Sequence, residues 1–205
     1  MPLFRALLLC LLLVTVSLPA YAEEENKDNA AELDAIVKEE SGDTSVRYAP
    51  DFCDFEITFP DEPYTSKRCP EGTGKCYDLT GYTMVYDLTT TVEVSVTCVP
   101  SSPANYDRYN ENVIRAALKG MVERAELKEY NINTKEDGDI RQGFLIGTGN
   151  YGRQTRIYNA QLWIGQNSVF TVEAKLTGRS HQEADTAFGD ILNTIKRKTL
   201  PAEKD

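Results

Sequence analysis

The chain has 205 residues, of which 22 are lysine or arginine and 32 are aspartate or glutamate, so its formal charge at pH 7 is −10. A surface this acidic repels the phosphates of nucleic acids and the head groups of anionic lipids, which disfavours both classes of partner. The length suits one folded domain accompanied by other segments.

The first 22 residues have the three parts of a cleaved export signal. Arg5 supplies a positive start, an apolar run covers residues 7–16, and residues 20–22 form the small-x-small pattern that a signal peptidase recognises. The apolar run is shorter than the roughly 20 residues that a membrane span needs. We therefore expect a signal peptide over residues 1–22, cleavage after Ala22, delivery to the periplasm or the medium, and no stable membrane insertion afterwards. An uncleaved anchor is the alternative.

Loss of this segment would remove Arg5 and Cys10, leaving 21 basic against 32 acidic residues, a charge of −11, and four cysteines. An even number of cysteines in an oxidising compartment favours two disulfides. Zinc fits poorly, because no cysteine pair has C-x-x-C spacing and His181 is the chain's one histidine. No asparagine begins a glycosylation sequon, which favours a bacterial periplasm over a eukaryotic secretory route.

The remaining chain divides by composition. Residues 23–48 are acidic and small, which predicts a largely disordered tail; residues 49–200 form a single domain, and residues 201–205 a disordered C-terminus. In the first half of the domain, alternating apolar residues and intervening Pro and Gly turns predict a meander of four strands. These strands cover about residues 52–59, 64–69, 76–87 and 91–98.

Strand register constrains the disulfides of this meander. A hairpin centred near residue 61 places Cys53 opposite Cys69, and one centred near residue 87 places Cys76 opposite Cys98. The loop between the second and third strands also brings Cys69 near Cys76. In a meander that pairing leaves the outer two cysteines roughly 14 Å apart, whereas a disulfide needs Cα atoms within about 7 Å. We therefore predict Cys53 with Cys69 and Cys76 with Cys98.

The second half alternates a helix, strands and a helix. Apolar residues at spacings of three and four predict a helix over residues 104–126, and Ser180 is the predicted N-cap of a last helix. Between them, four strands are predicted to bury one continuous apolar face, with Leu162 opposite Phe170 and Phe144 opposite Tyr158. The order ββββ-α-ββββ-α predicts an α+β fold, an α/β/α sandwich in which two helices cover an antiparallel sheet of hairpins.

The chain resembles the PsbP-like family in four features: the strand and turn at residues 55–63 (FEITFPDEP), the central helix, the four-strand run, and the closing residues 187–196 (AFGDILNTIK). The resemblance covers about residues 52–198. It implies a small exported or lumenal α/β/α sandwich and, as in many members, a non-enzymatic accessory or assembly role. It offers no site motif to carry over, and the four cysteines depart from the family pattern.

Residue patterns for catalysis are few. His181 falls at a helix start, where a solvent-facing position explains it, and residues 147–152 form a glycine-rich turn between strands without a phosphate-binding pattern. The acidic cluster Glu136, Asp137 and Asp139 lacks the alternate spacing of a calcium loop. We predict no catalytic residue, cofactor or metal, although two carboxylates brought together by folding leave no linear signature.

Basic residues suggest a binding surface instead. The predicted patch on this acidic protein consists of Arg141, Arg153, Arg156 and Lys175. Ordinary solvation of surface residues is the alternative explanation of these cations. The export signal, the disulfides, the PsbP-like order of elements and the lack of a nucleophile with a base favour a non-catalytic binding or assembly-accessory module whose partner is an envelope or periplasmic protein. An envelope hydrolase that uses a pair of carboxylates is the alternative.

Overall fold

A computed structural model describes residues 44–69 and 76–199, in which strands predominate. The predicted signal peptide, residues 23–43 of the predicted tail and the last residues lie outside the described residues. The strands are β1 (Val46–Tyr48), β2 (Phe55–Phe59), β3 (Tyr64–Arg68), β4 (Tyr77–Tyr86), β5 (Thr90–Pro100), β6 (Leu127–Asp137), β7 (Ile140–Tyr151), β8 (Gln154–Ile164), β9 (Ser168–Gly178) and β10 (Lys196–Arg197). The helices are α1 (Pro103–Tyr106), α2 (Glu111–Ala125) and α3 (Gln182–Asn193).

Seven strands form one antiparallel sheet in the order β3-β4-β5-β9-β8-β7-β6, and β1, β2 and β10 form a small second sheet. The large sheet consists of two meanders that join where β5 pairs with β9. Helix α2 packs on β6, β7 and β8, whereas α3 packs on β5, β9 and β2. The predicted fold class, an α+β sandwich built on antiparallel hairpins, is confirmed.

The apolar side chains form two cores rather than one continuous face. Strand β8 pairs with β9 so that Leu162 lies opposite Thr171 and Trp163 opposite Phe170, one residue away from the predicted register. Because strand side chains alternate, this shift sends the two apolar rows to opposite faces of the sheet. The β8 row packs with α2 and the β9 row with α3. The predicted pair of Phe144 with Tyr158 is also wrong, since Phe144 lies opposite Gln161.

Strand β2 does not form a hairpin with β3. It pairs with β1 and β10 and crosses the face of the large sheet. At one end Phe55 contacts Trp163, with ring centroids 5.6 Å apart, and at the other Phe59 stacks on Tyr82 at 5.7 Å. Burial of this aromatic row holds the small sheet on the large one. Since β1 belongs to it, the folded domain begins before the boundary predicted at residue 49.

The predicted disulfide pairing is therefore wrong. The structure joins Cys53 to Cys98, with Cα atoms 6.1 Å apart, and Cys69 to Cys76, with Cα atoms 4.1 Å apart. The hairpin of β3 and β4 has the register that brings Cys69 near Cys76. That pairing leaves Cys53 and Cys98 too far apart to form a disulfide only if β2 lies beside β3. Because β2 instead crosses the sheet, Cys53 reaches the end of β5, where Cys98 lies.

Both long helices begin later than the sequence suggests. The predicted helix over residues 104–126 is divided into α1 and α2, and Asn110 caps α2 by accepting a hydrogen bond from Val113 N at 3.1 Å. The cap of α3 is His181 rather than Ser180, and its Nδ1 accepts from Ala184 N at 3.4 Å. Neither these helices nor any other helix within residues 44–69 and 76–199 is long and apolar enough to cross a membrane.

Candidate functional site

Arg141 lies apart from the other residues of the predicted basic patch. Its guanidinium stacks over the Tyr106 ring at 4.3 Å and donates to the carbonyl oxygens of Tyr106 and Tyr109 at 2.9 and 3.3 Å. It also pairs with Glu136 at 3.4 Å. These contacts fix the α1 segment against β7, so Arg141 has a structural role and does not join the patch.

The other three patch residues lie at one end of the large sheet, where three connections meet. These connections are the β4–β5 tip (residues 87–89), the β7–β8 tip (residues 151–154) and the β9–α3 link (residues 178–181). Gln154 Nε2 donates to Thr89 O at 3.4 Å and joins the first two tips. We call these three connections, together with the adjoining cations Arg156 and Lys175, the basic end.

Gly178 allows the third connection to approach the β4–β5 tip. Its φ is 131°, and a Cβ placed there would lie 2.2 Å from the carbonyl oxygen of Thr89. Next to it, Thr90 Oγ1 donates to Arg179 O at 2.8 Å. A side chain at position 178 would therefore separate the two connections.

A cleft of about 330 Å³ opens on the sheet face of the basic end. Arg156 lies over the Tyr151 ring at 4.4 Å, and its Nε is buried with no hydrogen-bond partner among the described residues. Lys175 lies 3.9 Å from Glu93 across the cleft, at a distance that gives a weak, solvent-screened ion pair. The remaining lining is neutral and can donate hydrogen bonds: Thr91, Thr177 and Gln154.

A second cleft of about 750 Å³ adjoins the first, and Gln154 lines both. It carries Arg153 and Arg179, which are exposed and make no ion pair within the described part of the chain. One carboxylate, Asp185, also lines it. Arg179 was missed from the sequence because its place beside Arg153 depends on the contact between Gly178 and Thr89.

The β4–β5 tip adds an apolar side chain to these cations. Leu88 is 95% exposed, and Tyr151 on the neighbouring tip is 63% exposed. Asp87, the residue before Leu88, is held by His181, whose Nε2 lies 3.1 Å from its carboxylate. With Nδ1 accepting at the start of α3, both contacts fit an imidazole that carries its proton on Nε2. His181 therefore connects the tip to the helix.

The carboxylates with the least exposure in this region and in β2 have partners. Glu56 is 5% exposed and is paired with Arg47 and Lys196 from the strands on either side. Glu173 accepts a hydrogen bond of 2.6 Å from the buried Tyr158 hydroxyl. Burial, reinforced by this carboxylate, raises the pKa of Tyr158 well above its ordinary value, so the phenol stays protonated.

Two other cavities lie away from the basic end. A groove of about 610 Å³ runs between β2 and α3, is largely apolar, and has the exposed carboxylates Glu183 and Asp190 at its edge. A cleft of about 710 Å³ lies beside the two disulfides. Within residues 44–69 and 76–199, no group of three or more His, Cys, Asp and Glu side chains is placed to hold a metal.

Comparison with known proteins gives a likeness of fold. No protein-family model and no curated protein matches the chain. Among solved structures it is similar to the cyanobacterial PsbP of Synechocystis sp. PCC 6803, with a TM-score of 0.44 and 11% identity over 77% of this chain and 94% of that one. A PsbP is thus among the solved structures to which the chain is similar, and PsbP gives its name to the family that the sequence resembles.

Two further solved structures are similar. The Ran-binding protein Mog1p of Saccharomyces cerevisiae has a TM-score of 0.38 and 9% identity, covering 76% of this chain and 96% of its own. LpqN of Mycobacterium tuberculosis, described as involved in cell envelope biogenesis, has a TM-score of 0.37 and 15% identity, covering 76% of this chain and 86% of its own. At these identities the likeness concerns the fold alone.

Proposed function

We propose that the mature chain is an exported, non-catalytic binding module that holds an acidic protein of the cell envelope through its basic end. The observation that carries this proposal is a set of arginines that form no ion pair with any described residue, Arg153, Arg156 and Arg179, beside the exposed Leu88 and Tyr151. These arginines belong to a chain whose formal charge is −10.

Charge and residue type both support this reading. Unpaired cations on an acidic protein orient it, so that an acidic partner is drawn to this end while the rest of the surface repels it. Arginine and tyrosine are also the side chains most enriched at the energetic centres of protein interfaces. Exposed tyrosine and leucine give the partner apolar contact, to which the arginines add hydrogen bonds to carboxylates.

Export is supported by the residues before Glu23 and by the disulfides. Residues 1–22 have the pattern of a cleaved signal, and two disulfides would not persist in a reducing cytosol. N-terminal sequencing of the protein recovered outside the cytoplasm tests this part. We expect the mature chain to begin at Glu23; a start at Met1 or Pro2 would contradict it.

We do not propose the hydrolase. A pair of carboxylates working as acid and base needs one of them to be kept protonated, which usually takes burial in apolar surroundings. The described carboxylates that are not exposed are Glu56, Asp54 and Glu173. Glu56 is paired with cations, Asp54 accepts hydrogen bonds from Asn167 and Ser168, and Glu173 accepts one from the Tyr158 hydroxyl. Glu183 and Asp190, at the groove beside α3, are exposed.

Charge reversal at the basic end tests the binding proposal. The mature chain, a variant with Arg153→Glu and Arg179→Glu, and a control with Arg108→Glu and Lys119→Glu are each used to capture proteins from envelope extract of the producing cells. Both variants change the net charge equally, and Arg108 and Lys119 are exposed cations elsewhere on the surface. We expect a discrete partner that the control retains and the basic-end variant loses at least tenfold. Equal capture by both variants would refute the proposal.

A further inference from the structure

The β4–β5 turn holds a leucine in a backbone conformation that leucine disfavours. Asp87 and Leu88 both have positive φ, 47° and 56°, and Thr89 N donates to Tyr86 O at 3.1 Å, as in a type I′ turn. Such turns select glycine and asparagine at their two central positions, because a Cβ crowds the backbone in the left-handed region. A leucine at the second of these positions works against the turn.

The fold of the described residues gains little from this side chain. Leu88 is 95% exposed, so it adds almost nothing to either core. The turn is held by other contacts: His181 on Asp87, Thr90 on Arg179 O, and the close approach of Gly178. These contacts brace the residues on either side of Leu88, and none of them involves the Leu88 side chain. Strain of this kind, kept at an exposed position, points to a role in function.

We propose that Leu88 is the anchor of the basic end, inserting into an apolar pocket that is bordered by carboxylates on the partner protein. This inference rests on the proposed function and names the contact that the partner makes. A branched apolar side chain at the tip of a braced hairpin needs no rearrangement to enter a pocket, which keeps the entropic cost of binding low. Arg153 and Arg179 line the adjoining cleft, so carboxylates at the border of the pocket would meet them.

Photo-crosslinking at defined positions tests the anchor. p-Benzoylphenylalanine is introduced at position 88, at position 151 on the neighbouring tip, or at position 113 as a control, and the producing cells are irradiated. Val113 is a suitable control because it is an exposed apolar residue on α2, with 42% of its surface accessible. We expect one discrete adduct from position 88 and none from position 113. The linked partner peptide should contain apolar residues together with aspartate or glutamate.

The outcomes separate the anchor from the binding surface. Adducts from position 151 without any from position 88 would overturn the anchor and leave the basic end as the binding surface. No adduct from either position would contradict both, as would equal adducts from position 113. When Arg153→Glu and Arg179→Glu are combined with the crosslinker at position 88, we expect the adduct to be lost. An adduct that persists at full yield would overturn the role of the partner's carboxylates.

Conservative and turn-adapted substitutions give a second measurement with the purified crosslinked partner. Leu88→Met keeps an apolar side chain of similar reach and should bind within threefold of the unaltered protein. Leu88→Asn suits the turn but removes the apolar contact, and should lower affinity at least tenfold while raising the melting temperature. Unchanged affinity in Leu88→Asn would overturn the anchor, as would a loss of affinity accompanied by a lower melting temperature.

Discussion

Replacement of Leu88 by asparagine should make the protein more stable. The left-handed conformation at φ 56° costs an ordinary L-residue roughly 1–2 kcal/mol, much of which asparagine avoids by local hydrogen bonding. The substitution also loses the free energy of burying the leucine side chain, but that side chain is 95% exposed. Complete burial of a leucine contributes about 1.5–3 kcal/mol, so the small buried fraction contributes only about 0.1 kcal/mol. The expected net gain in unfolding free energy is about 1 kcal/mol.

Thermal unfolding followed by circular dichroism measures this change. For a domain of this size, about 1 kcal/mol corresponds to a rise in melting temperature of roughly 2–4 °C. Leu88→Ala is the matched control, because alanine loses the exposed side chain but keeps the Cβ that crowds the backbone, and should leave the melting temperature nearly unchanged. A lower melting temperature in Leu88→Asn, or equal shifts in the two variants, would refute the strain argument.

The remaining predictions concern the approach of the loops and the disulfides. Gly178→Ala places a Cβ 2.2 Å from Thr89 O at a φ of 131° and should lower the unfolding free energy by about 1–3 kcal/mol, measured by urea unfolding; unaltered stability would show that the close approach is not required. Loss of the Cys53–Cys98 disulfide, which closes 45 residues, should cost about 4 kcal/mol, and loss of Cys69–Cys76, which closes 7, about 2 kcal/mol. Alanine pairs measured in urea check this order, and a larger cost for the shorter loop would contradict it.

The strands of the large sheet and the helices that pack on it were predictable because most of them have one apolar face and one polar face. Alternation in β5, β8 and β9 identifies each strand, since one face is apolar and the other polar. Alternation does not show which of the two covered faces of the sheet the apolar side chains of a strand lie on. Leu162 and Phe170 were expected on one face, but a turn centred one half-residue later directs them to α2 and α3 respectively. Register in a sheet covered on both sides depends on the turn and not on the apolar pattern.

The place of β2 was not predictable from local rules. Neighbouring strands usually pair, which favoured a β2–β3 hairpin and hence the wrong disulfides. The partners of β2 come from the two ends of the domain, Val46–Tyr48 and Lys196–Arg197. No pattern near Cys53 signals such a distant pairing. Its bond to Cys98 follows from the tertiary arrangement alone.

The candidate site was predictable only in part. Arg153, Arg156 and Lys175 follow from strand order, since the tip of the β7–β8 hairpin lies beside the end of β9. Arg141 is at the opposite end of the same hairpin, where it holds α1 instead. Leu88 could have been suspected, because a leucine between two strands at a tight turn is unusual, but its exposure became known only with the fold.

Binding through the basic end sets the affinity of the mature chain for the protein that it captures. Dissociation constants are measured by calorimetry for the unaltered protein, for Arg153→Glu with Arg179→Glu, and for the control Arg108→Glu with Lys119→Glu. We expect a loss of at least tenfold in the basic-end variant, less than threefold in the control, and a steeper dependence on salt for the unaltered protein than for the basic-end variant. Equal affinities in the two variants would contradict binding through the basic end.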